Sequence, residues 1–205
     1  MLKKFTVYLV DDDPGVLKAL SRLLSTRGYD VKAYTSPEVF LEEYDVLAPG
    51  CALLDVAMPG LDGLELQRML NALAGSHRPI LFLTGRGDIP TSVQAMKAGA
   101  LDFLTKPVKD NDLLEAISRA EARDADSREL HSELKLIEER VETLTPRERE
   151  VFLHVVTGRL NKQIASDLGI AEKTIKIHRK QVMDKLGVRN LLDLVRMADK
   201  LSLRK

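Results

Sequence analysis

Residues 51–60, Cys-Ala-Leu-Leu-Asp-Val-Ala-Met-Pro-Gly, end a short apolar run on one carboxylate, Asp55, and follow it with a turn. Three other stretches repeat that pattern. The run 5–10 ends at Asp11-Asp12-Asp13, the run 80–83 ends at Thr84, and the run 101–104 leads to Lys106-Pro107. Short apolar runs bounded by turn residues read as buried strands. In an open parallel sheet the C-terminal strand ends share one edge, and ligands bind in the crevice there. Carboxylates, a hydroxyl and an ammonium from four distant positions are therefore expected in one pocket.

Helical patterns at 16–25, 37–44, 63–73, 91–98 and 111–120 alternate with these runs and with a further strand at 31–34. Five strand–helix repeats predict an α/β fold with a parallel sheet covered on both faces. Right-handed crossovers make this a doubly wound five-stranded sheet of order 2-1-3-4-5. Asp13-Pro14 reads as a helix cap.

The chain has 205 residues, enough for one large domain or two small ones, and 44% of them are hydrophobic, enough to build real cores. No apolar run approaches the roughly 18 residues that a membrane span needs. The N-terminal residues lead straight into a strand, which predicts no signal peptide. The single cysteine, Cys51, lies in an apolar run and reads as an inert core thiol, consistent with a reduced, cytoplasmic location. The four histidines show no metal-ligand spacing. A net charge of zero hides a division: residues 1–142 carry 17 Lys+Arg against 24 Asp+Glu, and residues 143–205 carry 14 against 7. The basic tail is the part expected to meet a polyanion.

The charge division falls at 142/143, and with the extents of the two resemblances described below the chain is read as three segments: 1–122, a helical linker 123–142, and 143–205. Residues 121–142 contain neither Pro nor Gly. Leu130, Leu134, Ile137 and Val141 form a stripe suited to a partner helix, although a solvated spacer fits the composition equally well. Thr145-Pro146-Arg147-Glu148 has the form of a capping box. Gly158 closes that helix, Asn161 is placed to cap the next, and Gly169 ends it; further helices are expected at 171–186 and 190–201. Two short helices around a glycine-containing turn within a small all-α, four-helix unit form a helix-turn-helix pattern.

Crowding Asp11, Asp12 and Asp55 together is costly, because two unit charges 4 Å apart repel by about 4 kcal/mol at an effective dielectric near 20. A cation offsets that cost, and an all-oxygen site favours Mg²⁺, with Mn²⁺ as the substitute. Asp55, alone at its strand end, is the expected nucleophile toward a phosphoryl group. Lys106 can pair with one phosphoryl oxygen and Thr84 can hydrogen-bond another. In the tail, a helical wheel over 171–186 puts Ile175, Val182 and Leu186 on one face. Lys173, Lys176, Ile177 and Lys180 fall on the opposite face, three lysines around one isoleucine. Such a surface suits the major groove of double-stranded DNA.

Val-Asp-Asp-Asp-Pro, Leu-Asp-Val-Ala-Met-Pro-Gly-Leu-Asp-Gly, Leu-Thr-Gly, Ala-Met-Lys-Ala-Gly-Ala and Asp-Phe-Leu-Thr-Lys-Pro resemble the receiver domain of bacterial response regulators across residues 1–122. The resemblance implies a flavodoxin-like fold and a phosphoryl transfer from a sensor histidine kinase to Asp55. It also implies a divalent cation on Asp12, Asp55 and the backbone carbonyl of Ala57, with Asp11 acting through water. A cis Lys106-Pro107 bond and a switch carried by Thr84 and Phe103 are further implications. Many relatives carry a polar residue where this chain has Ala57, so the lifetime of the phosphoryl group is left open.

Leu-Thr-Pro-Arg-Glu-Arg-Glu-Val, Gly-Arg-Leu-Asn-Lys-Gln-Ile-Ala, Leu-Gly-Ile-Ala-Glu-Lys-Thr-Ile-Lys-Ile-His-Arg and Met-Asp-Lys-Leu-Gly-Val-Arg resemble the LuxR/GerE-type DNA-binding domain over 143–205. By that resemblance Lys176, Ile177 and Lys180 face the bases, while Lys173, Thr174, His178 and Arg179 support them or touch the DNA backbone. Together the two resemblances point to the NarL/FixJ class, and within it to the FixJ-like branch. They imply a phosphorylation-gated transcription factor, more an activator than a repressor, that forms a homodimer through the face near 90–120 and meets RNA polymerase. Asp55 is then an acceptor and the chain not an enzyme. A phosphatase with an aspartate nucleophile is the rival from the enzyme class, but those enzymes carry a second acid where this chain has Ala57. The other rival is an interaction module that works without phosphate.

Overall fold

A computed structural model describes residues 4–73, 77–85 and 89–201. Residues 86–88 of the Thr-Gly-Arg-Gly-Asp-Ile-Pro stretch and the last four residues of the tail lie outside the described residues. The chain divides into two compact units, Met1–Arg128 and Glu129–Lys205.

The first unit carries five strands: β1 (Thr6–Val10), β2 (Asp30–Tyr34), β3 (Gly50–Asp55), β4 (Ile80–Thr84) and β5 (Asp102–Thr105). They pair in parallel in the order β2-β1-β3-β4-β5, the expected topology. Alternate strand residues enter opposite cores, as a pleat of period two requires. Val7, Leu9, Cys51, Leu53, Leu81 and Leu83 meet α1 (Pro14–Thr26) and the first turns of α5 (Asp110–Glu142). Tyr8, Val10, Ala52, Leu54, Ile80 and Phe82 meet α2 (Pro37–Glu42), α3 (Gly63–Ala72) and α4 (Ile89–Lys97). Burial on both faces explains why the three central strands, β1, β3 and β4, are continuous apolar runs, while the edge strands β2 and β5 are partly exposed and carry polar residues.

Local chemistry fixes the helix starts. Asp13 caps α1 by accepting from the backbone N–H of Gly15 at 2.7 Å, with Pro14 in the first turn. Asp62 caps α3, accepting from Glu65 N at 2.7 Å. Gly63 begins that helix so close to β3 that a Cβ there would lie 2.2 Å from the Asp55 carbonyl oxygen and 3.1 Å from Phe82 Cε1. Gly63→Ala is therefore expected to destabilise the first unit by about 1–3 kcal/mol, the usual cost of overpacking. All four tyrosines (Tyr8, Tyr29, Tyr34 and Tyr44) lie in this unit and the chain has no Trp, so urea unfolding followed by tyrosine fluorescence reads the effect directly.

The helix expected at 111–120 and the linker 123–142 form one uninterrupted 33-residue helix, α5. No Gly or Pro breaks it, and each half finds burial. Leu113, Ala116, Ile117 and Ala120 fill the core of the first unit. Asp124 is buried there too, accepting from Gly50 N at 3.3 Å and from Arg128 Nε at 2.8 Å. Ile137 and Val141 belong to the core of the second unit. The stripe read from sequence is thus divided: Ile137 and Val141 are covered, whereas Leu130 is 54% exposed.

The second unit adds α6 (Pro146–Val156), α7 (Asn161–Leu168), α8 (Glu172–Leu186) and α9 (Leu191–Lys200). Val151, Phe152, Val155 and Val156 of α6 pack with Ile164, Ile175, Val182, Leu186, Leu194 and Ala198. Glu148 Oε2 accepts from Thr145 N at 2.8 Å, which completes the capping box, and also from Lys185 Nζ at 2.6 Å. Asn161 does not cap α7. Leu160 takes that position, its N–H satisfied by Gln163 Oε1 at 2.9 Å, and Asn161 is the first helical residue.

The hydrogen bond from Lys185 is the main cause that holds the Glu148 carboxyl below its ordinary pKa, against a smaller opposing effect of burial. A depressed carboxyl stabilises the fold above its unfolded value, near 4.3, and that contribution is lost as pH falls through the lower folded value. Protection of the α6 amides, corrected for the intrinsic exchange rate at each pH, is expected to fall on acidification below about pH 4.5. In Glu148→Gln this part of the acid dependence disappears, with a cost of about 1 kcal/mol at neutral pH.

Candidate functional site

Four of the five strand ends deliver one polar group each to the same edge. Asp11 follows β1, Asp55 ends β3, Thr84 ends β4, and Lys106 follows β5. Asp11, Asp55 and Thr84 are buried, at 2%, 5% and 5% exposure. Lys106 Nζ bridges the two carboxylates, 2.6 Å from Asp11 Oδ2 and 3.1 Å from Asp55 Oδ1. The other Asp11 oxygen accepts from Asp13 N at 3.0 Å, and the Lys106 backbone N–H donates to Thr84 O at 2.6 Å, binding the ends of β4 and β5 together. The Lys106-Pro107 bond is cis.

The electrostatics follow from that geometry. Burial raises the Asp55 carboxyl above its ordinary pKa, against the opposing hydrogen bond and charge of Lys106. Burial alone would lower Lys106, but its hydrogen bonds to Asp11 and Asp55 outweigh this and hold it above its ordinary value. Asp12 is exposed, and one oxygen from each of Asp11, Asp12 and Asp55 lies within 4.8 Å of the others. One ammonium offsets one of three negative charges. The remainder, on oxygen donors alone, fits a hard divalent cation.

Ala57 lies in the exposed loop after β3 and brings no polar side chain to the acceptor. Phe103 is half-buried, its ring centroid 6.0 Å from that of Phe82 beneath it. The pairing of Lys106 with Asp11 was not read from sequence. Neither was Arg78, a buried guanidinium held 4.2 Å from the Tyr8 ring and 4.3 Å from the Tyr44 ring, donating to Asp45 O and Ala48 O. An isolated arginine before a proline gives no signal of such a partnership.

In the second unit, Ile175, Val182 and Leu186 of α8 are buried, and Lys173, Lys176, Ile177 and Lys180 are exposed, as the wheel predicts. Ile177 is 50% exposed, and Lys176 Nζ lies 3.2 Å from Glu172 Oε1 one turn earlier. Thr174, His178 and Arg179 are half-buried on the flank. His178 Nδ1 is enclosed with no hydrogen-bond partner among the described residues, and Arg179 Nη1 donates to Asn161 Oδ1 at 2.7 Å. No helix among the described residues is long and apolar enough to cross a membrane.

Comparison with known proteins finds a family for each of the two units. Residues 7–118 match the response regulator receiver domain, and residues 142–198 match the bacterial regulatory proteins of the luxR family. The chain is 44% identical over 195 residues to the response regulator protein TmoT of Ectopseudomonas mendocina, covering 95% of this chain and 88% of TmoT. It is 41% identical over 198 residues to the transcriptional regulatory protein FixJ of Rhizobium meliloti, covering 95% of each. Among solved structures, the response regulator StyR matches with a TM-score of 0.81 at 43% identity, over 96% of this chain and 99% of StyR. Full-length FixJ from B. japonicum matches with a TM-score of 0.59 at 37% identity, over 99% of this chain and all of that one. A receiver domain implies a histidine kinase as partner, and a luxR-family domain implies DNA. With a carboxylate pocket at the strand ends and a lysine-faced helix in a second unit, the chain belongs to the two-component response regulators that join a receiver domain to a LuxR-type DNA-binding domain, the FixJ-like transcriptional regulators.

Proposed function

We propose that Asp55 accepts a phosphoryl group from a sensor histidine kinase and that its phosphorylation switches dimerisation and DNA binding, activating transcription through contact with RNA polymerase. The observation that carries this reading is Lys106, whose ammonium bridges the buried carboxylates of Asp11 and Asp55 at the strand edge. As the acceptor oxygen forms its bond to phosphorus, the bond from phosphorus to the kinase's histidine nitrogen breaks, and that nitrogen keeps the electron pair. Lys106 then exchanges its bond to the Asp55 carboxylate for one to a phosphoryl oxygen. Thr84 hydrogen-bonds a second oxygen, and Phe103 turns toward the space that the Thr84 side chain leaves. Asp12, Asp55 and the Ala57 carbonyl would hold Mg²⁺ or Mn²⁺, with Asp11 acting through water. When bound, the cation neutralises charge on the incoming phosphoryl group.

The output surface is the face formed by α4, β5 and α5. Ile89, Val93 and Met96 of α4 are 76%, 45% and 47% exposed and recur at helical spacing, an apolar stripe suited to a second copy of the chain. A homodimer presents two α8 helices to a two-fold-related DNA site. Lys176, Ile177 and Lys180 meet base edges there, with Lys173 on phosphate. The phosphoryl group is a regulatory mark and the chain no turnover enzyme, since no second acid stands two places after Asp55. The cytoplasm is its place of action.

Sedimentation velocity with Mg²⁺, with and without a small-molecule phosphodonor, tests the switch. A monomer is expected to become a dimer only with donor and an intact Asp55. A sedimentation coefficient that stays fixed after mass spectrometry confirms phosphorylation would remove dimerisation from the mechanism. Release of the DNA-binding unit within a fixed oligomer would replace it.

A further inference from the structure

The resemblance left Arg179 either to support the base-facing residues or to touch the DNA backbone, and the geometry turns it inward. Its Nη1 donates to Asn161 Oδ1 at 2.7 Å, from the middle of α8 to the first residue of α7. It lines one small cavity together with Val151, Val155, Val182, Met183 and Leu194. Asn161 has no capping role, because Leu160 holds the cap position and Asn161 is the first helical residue. At the other end of α7, Arg147 Nη2 donates to Leu168 O at 2.6 Å. Ile164 of the eight-residue α7 is fully buried, and Ala165 and Leu168 pack partly buried against the same core. Polar ties at its two ends add direction to that packing, which is itself non-directional.

We propose that the Arg179–Asn161 hydrogen bond sets the angle between α7 and α8, making both residues positioning residues for DNA recognition and Arg179 no phosphate contact. The inference rests on the reading that α8 faces DNA. A helix held at a fixed angle presents Lys176, Ile177 and Lys180 in register with base edges. A loosened helix still meets phosphates but reads bases less well. The pair should therefore govern the preference for specific over non-specific DNA, and leave the count of neutralised phosphates unchanged.

The test uses the full chain, a duplex that the wild type selects from a random-sequence pool, and a scrambled duplex of equal length. Affinities are measured over a range of KCl concentrations, at a temperature where far-UV circular dichroism shows each variant folded. Arg179→Met is expected to weaken binding to the selected duplex by about tenfold, the scale of one hydrogen bond, with scrambled-duplex binding and the salt slope unchanged. Asn161→Ala should give the same loss, and the double variant no further loss. Asn161→Ala also carries the test if Arg179→Met fails to fold. Lys180→Gln, by contrast, should lower the salt slope by about one if it contacts phosphate, or alter base preference if it reads bases. A salt slope that falls by about 0.9 in Arg179→Met would make Arg179 a phosphate contact and overturn the proposal. Unchanged affinity in both single variants, or additive losses in the double, would overturn it equally. If Lys176→Gln and Lys180→Gln change neither affinity, slope nor preference, it is the α8 reading that fails, and the proposal falls with it.

Discussion

Asp55→Ala is expected to reduce phosphoryl uptake from a small-molecule donor at least about a hundredfold, the scale on which removal of a nucleophile acts. The receiver should nevertheless stay folded. Burial is the largest influence on the Asp55 carboxyl and raises its pKa, so the ionised group weakens the folded state at neutral pH. Removing it relieves one of two buried carboxylates, and Lys106 keeps its 2.6 Å bond to Asp11. Tyrosine-monitored urea unfolding without divalent cation should therefore show stability equal to or above that of the wild type. Intact-protein mass spectrometry after incubation with donor and Mg²⁺ reads the uptake. A phosphorylated Asp55→Ala chain would move the acceptor elsewhere, and the nearest candidate is Asp12, exposed and in the same carboxylate cluster.

The sequence reveals what depends on neighbours along the chain or on regular spacing. Apolar runs became four of the five strands, and the polar residue at each run's end marked the functional edge before any strand was paired. Asp13 and Thr145 announced their helices because a cap is completed within three or four residues. Asn161 misled because it has the right chemistry for a cap, one position from the residue that holds the place. Its oxygen went instead to Arg179, 18 residues on. Arg78 with Tyr8 and Tyr44, Asp124 with Gly50, and Lys106 with Asp11 are likewise partners only through the fold. Nothing in their local spacing encodes them. The boundary at residue 122 is where the receiver resemblance ends, whereas α5 crosses it unbroken, because a domain boundary is a change of packing partner and needs no break in the backbone.

Lys106→Met is expected to make the receiver depend on divalent cation for its stability. In the wild type the ammonium lies 2.6 Å from Asp11 and 3.1 Å from Asp55, and without it those buried carboxylates face each other uncompensated. Breaking a buried ion pair costs roughly 3–5 kcal/mol. Because the Lys106 side chain is 22% exposed, solvent screening reduces that here to about 2 kcal/mol without cation. Mg²⁺ should then stabilise Lys106→Met more than it stabilises the wild type. In the wild type the cation would bind beside a positive charge already paired with Asp55, its proposed ligand, and with Asp11, which would act through water; in the variant that competition is gone. Stabilisation by a ligand grows with the logarithm of its concentration over its dissociation constant. Urea midpoints from tyrosine fluorescence across an Mg²⁺ series therefore give both the loss and its recovery. Equal Mg²⁺ increments in the two proteins would show that ammonium and cation do not share the Asp11–Asp55 pair. A larger increment in the variant would identify Lys106 as the group that holds the pocket together while no cation is bound, and that is free to turn to a phosphoryl oxygen once one is.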